Sequence, residues 1–489
     1  MNVSESSSLS HAQLVKTIAE SDAHLESLFK TRESLLSELE RIESQLQHET
    51  AKRGRLLNLL TPVSQLPPEL LSSIFLECYE SSTSFPNIAS HVCSYWRAVS
   101  TSTPLLWANI HVSLKPNDVR RAASATTLHK LGTYLDRTGT GHFKARVEVN
   151  GDHDLSKIVQ PIAAHMDRCI YLYFSIANDS HAIQTLRHCL MSVDAPVLEY
   201  LSMTVRPSRK MYYESDQFDA VLPTIFTGGA SVLSFLRLTG IAGTLQPPLV
   251  NVNTLCIDGI YMDRLTLTQY RNLLVGLPHL VNLSLVEIGV IDTDSKPLEP
   301  VSLPSLRSVR LRNEPETETV RFLLGCLPVE QLECLVLLHV DHLGSSVFSK
   351  VEELTFSTCD FPVEQLGHLM LAFPVVKSFT TEKISSMLLL ALGYPGVPVW
   401  WPHLKFLTVR EIQPEEVTSL VEMVRSRKGF GHPLTKVCLD KRSGTLLQKK
   451  NLLEELQSMV SVELRHDDPE PWPAGLGYDD EDDGFWSPY

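Results

Sequence analysis

From Leu14 to Leu46 the chain carries an apolar seam at alternating steps of four and three residues: Leu14, Ile18, Ser21, Leu25, Leu28, Arg32, Leu35, Leu39, Ile42 and Leu46. Eight of these ten positions are apolar, the residues between them are rich in Glu, Ser, Gln and Lys, and no Pro or Gly occurs between Leu14 and Arg53. A sustained period of 3.5 predicts one long helix with a narrow apolar stripe. A self-associating coiled coil and a helix folded back on its own protein fit this stripe equally well. Gly54 and Thr61-Pro62 are expected to end the helix, because proline lacks the amide donor and restricts the residue before it. Residues 1–13 are polar and serine-rich, and are expected to be disordered.

The pattern then shortens. In Pro62-Val-Ser-Gln-Leu-Pro-Pro-Glu-Leu-Leu-Ser-Ser-Ile-Phe-Leu-Glu-Cys-Tyr79, residues Leu70, Leu71, Ile74 and Phe75 have helical spacing. Pro67 and Pro68 stand where first-turn prolines are tolerated. After a polar spacer, Glu80 to Ser84, a second helical pattern places Ile88, Val92, Trp96 and Val99 on one face. Pro104-Leu-Leu-Trp107 closes this small all-helical module, and Ile110-His-Val112 begins a strand.

From about residue 113 the dominant pattern is a repeated L-x-x-L-x-L with apolar substitutes. It includes Leu198-x-x-Leu201-x-Met203, Leu233-x-x-Leu236-x-Leu238, Val252-x-x-Leu255-x-Ile257, Leu280-x-x-Leu283-x-Leu285 and Leu306-x-x-Val309-x-Leu311. It continues through Leu332-x-x-Leu335-x-Leu337, Val351-x-x-Leu354-x-Phe356, Val376-x-x-Phe379, Leu404-x-x-Leu407-x-Val409 and Leu434-x-x-Val437-x-Leu439. Central positions are 35, 19, 28, 26, 26, 19, 25, 28 and 30 residues apart, so eight of nine steps match the ~20–29 residues of a leucine-rich repeat to within a residue. The terminal x-L-x-L alternation puts two apolar side chains on one face of a short strand. Stretches such as Leu265–Leu277 and Glu364–Phe373 have helical spacing and would cross back to the next strand. One unit cannot bury its own apolar face, whereas stacked neighbours can. Lys144–Val149 and Ile170–Phe174 are candidate further strands, the first preceded by an amphipathic helix near Ala122–Asp136. The irregular spacing, and the lack of an Asn at the usual ladder position, leave an ordinary α/β sheet as the competing expectation.

Composition bounds the function. The net charge of −14 argues against broad nucleic-acid or anionic-membrane binding. Between Glu463 and Asp483 nine acids face the single base Arg465, a net of −8, which leaves about −6 for the rest of the chain. That acidic tail, from 466 to 489, is expected to be disordered, although Trp472, Phe485, Trp486 and Tyr489 would also suit an acidic-aromatic docking peptide. The nine cysteines are scattered without a C-x-x-C pair, and are expected to be reduced and mostly buried. The N-terminus lacks the blocks of a signal peptide, and apolar runs fall well below the about 18 residues that span a bilayer. A cytoplasmic or nuclear protein is expected. No phosphate-cradling glycine loop, zinc-binding H-E-x-x-H or nucleophile elbow is present in the sequence. Neither enzymatic activity nor a cofactor or metal is expected.

The segments Leu66-Pro-Pro-Glu-Leu-Leu-Ser-Ser-Ile-Phe75, Val92-Cys-Ser-Tyr-Trp-Arg97 and Pro104-Leu-Leu-Trp107 closely resemble the F-box, whose pattern opens L-P-x-E-[IL]-L and places V-C-x-x-W-R about twenty residues later. The interhelix spacer Glu80–Pro86, with its four serines and threonines, departs from that pattern. With the preceding helix and the degenerate leucine-rich region, the chain is similar to the large F-box families of mushroom-forming fungi. The resemblance implies a substrate-recognition subunit of a Skp-cullin-type ubiquitin ligase. The module would dock on a Skp-family adaptor, and through it a cullin, while the repeats hold a protein substrate. By motif match Leu66, Pro67, Leu70, Leu71 and Phe75 would be the docking residues, with Glu69 at the polar rim. A scaffold that uses the same modules without ubiquitination, self-associating through 14–46, is the alternative. The expected architecture is α/β: a long helix (14–60), a small all-α F-box module (62–112), then a leucine-rich-repeat-like solenoid of parallel strands alternating with helices (113–465). Basic residues near the repeat strands, Arg237, Arg307, Arg310 and Arg312, are candidates for an acidic motif or for plain solvation.

Overall fold

The computed structural model describes residues 11–82, 84–116, 122–179, 181–206, 223–259, 265–291, 299–313, 317–340, 343, 346–359, 361, 363–396, 399–465 and 472. Residues 1–10 and all of the acidic tail except Trp472 lie outside them, and with them the expectations for those segments. The chain divides into two compact units, Met1–Leu106 and Trp107–Tyr489. It runs as a long helix, then a small helical region, then a long parallel sheet alternating with helices.

In the first unit, α1 (His11–Leu59) spans 49 residues and passes through Gly54 without a break, ending just before Thr61-Pro62. Every apolar seam residue from Leu14 to Leu46 is exposed. The helical region is α2 (Pro68–Ser81), α3 (Phe85–Val92) and α4 (Ser94–Thr101). The second helical pattern is therefore two helices, not one. Cys93 is extended between them, and Ile88 and Val92 point to solvent rather than sharing a buried face with Val99.

Among the described residues, the second unit is built on one fourteen-stranded, all-parallel sheet. Its first six strands, in spatial order, are β1 (Asn109–Leu114), β2 (Phe143–Asn150), β3 (Cys169–Ala177), β4 (Tyr200–Arg206), β5 (Phe235–Gly240) and β6 (Thr254–Asp258). Among the described residues, the short strands β7 (Leu265–Thr266) and β9 (Val290–Ile291) pair with each other and not with the main sheet. The main sheet resumes with β8 (Asn282–Val286), β10 (Ser308–Arg312), β11 (Cys334–Leu338), β12 (Glu353–Ser357) and β13 (Ser378–Thr381). It ends with β14 (Phe406–Val409), β15 (Lys436–Asp440) and β16 (Ser461–Arg465). All ten expected repeat strands form, as do the two candidate strands in 144–149 and 170–174. Moreover, they stack in register: Leu172, Leu201, Leu236, Leu255, Leu283, Val309, Leu335, Leu354, Phe379, Leu407 and Val437 are successive cross-strand partners. These side chains share one core with the inner faces of the helices α5 (Leu267–Val275), α6 (Val363–Ala372) and α7 (Glu416–Gly429). The fold is thus a solenoid-like α/β stack, in which each unit buries its neighbour's apolar face.

Two local devices hold the repeats. Asn178, Glu287, His339 and Thr358, with φ of 59°, 50°, 57° and 47°, directly follow β3, β8, β11 and β12. A single left-handed residue turns the chain out of each of these strands, which requires no asparagine ladder. The second device is Arg427 of α7, which is fully buried. Its guanidinium donates to the carbonyls of Leu392 (3.1 Å), Trp400 (3.0 Å), Trp401 (2.9 Å) and His432 (3.2 Å). Burial brings its pKa down only to about 10, so the group stays cationic at neutral pH.

Glu382, just after β13, is half-buried; burial and then the nearby Glu411 carboxylate hold its carboxyl above the ordinary range. The fold therefore prefers the protonated form. Its stabilising contribution is fully present below pH 4.5 and is lost as pH rises through the raised folded pKa. Glu382→Gln keeps an acceptor for the Ser357 hydroxyl, which donates to this side chain. It is expected to raise Tm by about 1–2 °C at pH 7 and to leave it unchanged at pH 4, by scanning calorimetry.

Candidate functional site

The helical region closes around Phe75, which is fully buried. The Phe75 ring lies 5.5 Å from that of Phe85 and 4.9 Å from that of Trp96, so one aromatic side chain ties α2 to both α3 and α4. Leu71 and Val99 are buried as well. The V-C-x-x-W-R segment does its work through the backbone. Cys93 caps α4, its Sγ accepting from the Trp96 amide at 3.4 Å. Arg97 Nε donates to the Ser90 carbonyl at 2.7 Å and so ties down the end of α3, one of whose last carbonyls would otherwise lack a partner. The Tyr95 hydroxyl donates to the Leu66 carbonyl at 2.6 Å, anchoring the extended Leu66-Pro67 entry to α2. Neither Tyr95 nor Cys93 was singled out for such a role from sequence, because both bonds depend on the break at Cys93.

The six residues expected to dock therefore divide. Leu71 and Phe75 are core. Pro67, Glu69 and Leu70 are exposed, and Leu66 is half-buried under the Tyr95 tether. Ile74, one turn beyond Leu70, is also exposed. This leaves Leu70 and Ile74 as an apolar pair on one side of α2, continued toward its N-terminus by Pro67.

Residues 63–113 match the F-box-like family model. The F-box-like domain accounts for the Leu-Pro entry, the two short helices and the Trp-Arg pair together. No curated protein matches the chain. Among solved structures, a protein from Bacteroides fragilis is similar at 12% identity over 74% of this chain and 75% of that one. Its TM-score is 0.26, too low to carry any argument about fold or function.

The sheet offers a second surface, on the side of the strands opposite the leucine ladder. Arg237, Arg310 and Arg312 lie there and are buried, whereas Arg307 is half-buried and pairs with Glu333 at 3.3 Å. Arg312 lies 3.7 Å from Glu287. The nine cysteines are thiols and form no disulfide, but only four are buried and five are half-buried; burial pushes the Cys169 and Cys334 thiols up to about 12 and about 11, which leaves both unreactive. Among the described residues no group of three His, Cys, Asp or Glu side chains could hold a metal, and no helix is long and apolar enough to cross a membrane.

Proposed function

We propose that the chain is a non-enzymatic, cytoplasmic or nuclear substrate-recognition subunit of a Skp-cullin-type ubiquitin ligase. The F-box-like domain docks on a Skp-family adaptor, and the strand face of the repeats binds a protein substrate. The observation that carries this reading is the exposed Pro67, Leu70 and Ile74 edge of a domain whose core is already closed by Phe75, Leu71 and Trp96. A module of about fifty residues that leaves such an apolar edge in solvent has a partner for it. Similarity to the large F-box families of mushroom-forming fungi belongs to the same reading.

A second reading is a scaffold that uses both modules without ubiquitination. The fully exposed seam of α1 favours it, since a self-associated coil would cover that stripe. Affinity capture with the wild type beside Leu66→Ala/Pro67→Ala separates the two. Adaptor and cullin are expected with the wild type, and a loss of at least about tenfold with the double variant. A wild-type capture that contains only further copies of the chain rules out the ligase reading.

A further inference from the structure

The strand face opposite the leucine ladder contains a trough that is already filled. Register sets Tyr171, Tyr200 and Phe235 side by side on β3, β4 and β5, and their rings stack with centroids 4.3 Å apart at both steps. The next row along the strands reads Arg237, Cys256, Ser284 and Arg310. Two small side chains thus lie between two guanidiniums, and Arg310 Nε donates to Ser284 Oγ at 2.7 Å, which fixes the attitude of its plane.

Trp472 occupies this place. Its indole N–H donates to Ser308 Oγ at 3.2 Å, across a separation of 164 residues. The Arg310 guanidinium carbon stands 4.3 Å from the indole centroid, and the ring joins the cluster of Tyr171, Tyr200, Phe235 and Cys256. A cation over the ring face, a matched acceptor for the one polar atom and an apolar wall are what an aromatic anchor requires. In sequence, Trp472 stands in Asp467-Asp-Pro-Glu-Pro-Trp-Pro473, and the face that receives it buries three guanidiniums. A segment that brings acids beside its tryptophan complements that charge.

We propose that this trough is the aromatic-anchor subsite of the substrate-binding face, filled in cis by Trp472, and that it accepts from outside a peptide presenting a tryptophan next to acidic residues. The proposal rests on the substrate-receptor reading and names the chemistry of its ligand. Trp472 is tethered seven positions beyond the end of β16, so it competes with an outside peptide as an intramolecular ligand. The probe is a fluorescein-labelled peptide with the sequence of residues 466–475, titrated by anisotropy into the full-length chain. Trp472→Ala is expected to bind it at least tenfold more tightly than the wild type does. Trp472→Ala/Arg310→Gln is expected to lose that gain, and so is a peptide whose own tryptophan is replaced by alanine. Trp472→Phe keeps a ring but no donor for Ser308, and is expected to lie between. Equal affinity for the wild type and both Trp472 variants overturns the proposal, as does binding indifferent to the peptide's tryptophan. No adaptor takes part in the titration, so its failure leaves the capture result standing, and a failed capture leaves the titration readable.

Discussion

Phe75→Ala and Leu70→Glu are both expected to abolish adaptor capture, but by different routes that one thermal scan separates. Phe75 is buried between Phe85 and Trp96 in three short helices, so truncation removes the ring that joins them. The loss for a buried Phe is about 3–5 kcal/mol, comparable with the whole stability of a module this small. Its helical signal should melt well below that of the wild type. Leu70 is 54% exposed and makes no comparable core. A glutamate there costs the fold little, yet places a charge in the proposed docking edge, with an expected loss of about 100-fold or more in adaptor affinity. The thermal scan should match wild type. Adaptor affinity within threefold of wild type for Leu70→Glu would remove α2 from the docking face.

The second large effect is expected at Arg427. Replacement by methionine keeps the stem but leaves the carbonyls of Leu392, Trp400, Trp401 and His432 without these donors, in a fully buried site. Breaking such a network costs about 3–5 kcal/mol. Trp401 adds to the penalty, because it sits at φ 41° with its side chain buried, a conformation that a bulky residue holds only when its surroundings impose it. Chemical denaturation of the full chain should show a lower midpoint, and Arg427→Lys should recover only part of it, since an ammonium cannot fan out to four carbonyls. A midpoint unchanged in Arg427→Met would show that the cation and its own desolvation balance.

The strands were legible because one face of each must repeat. Leucine at the centre of L-x-x-L-x-L is a cross-strand requirement, and a one-residue slip would turn it to solvent. The last strand was overlooked although Met459-x-x-Val462-x-Leu464 carries the same pattern with apolar substitutes, and Val462 pairs with Val437. The connections were less legible. Leu265–Leu277 and Glu364–Phe373 do contain helices, but β5 reaches β6 through only a short 3-10 turn, Ile241–Thr244. In the F-box-like region, helical spacing ran Val92 and Trp96 together because periodicity cannot see a cap. The cap is a thiol accepting an amide, one of the weaker acceptors a side chain offers. Core and surface on α2 were likewise inseparable by spacing alone, since Leu70 and Leu71 are adjacent and equally apolar. The landing place of Trp472 depends on contacts across more than 160 residues, beyond any local pattern.

The spacing of the repeats ranges from 19 to 35 residues, yet the ladder of central side chains never loses step. Length change between strands is therefore absorbed without rotating any strand about its axis. A lineage carrying this scaffold can insert, delete or rewrite the connecting segments, and recolour the outward rows one position at a time, while the inner row keeps the stack standing. For the proposed substrate receptor, this is a route to new targets that needs no new fold.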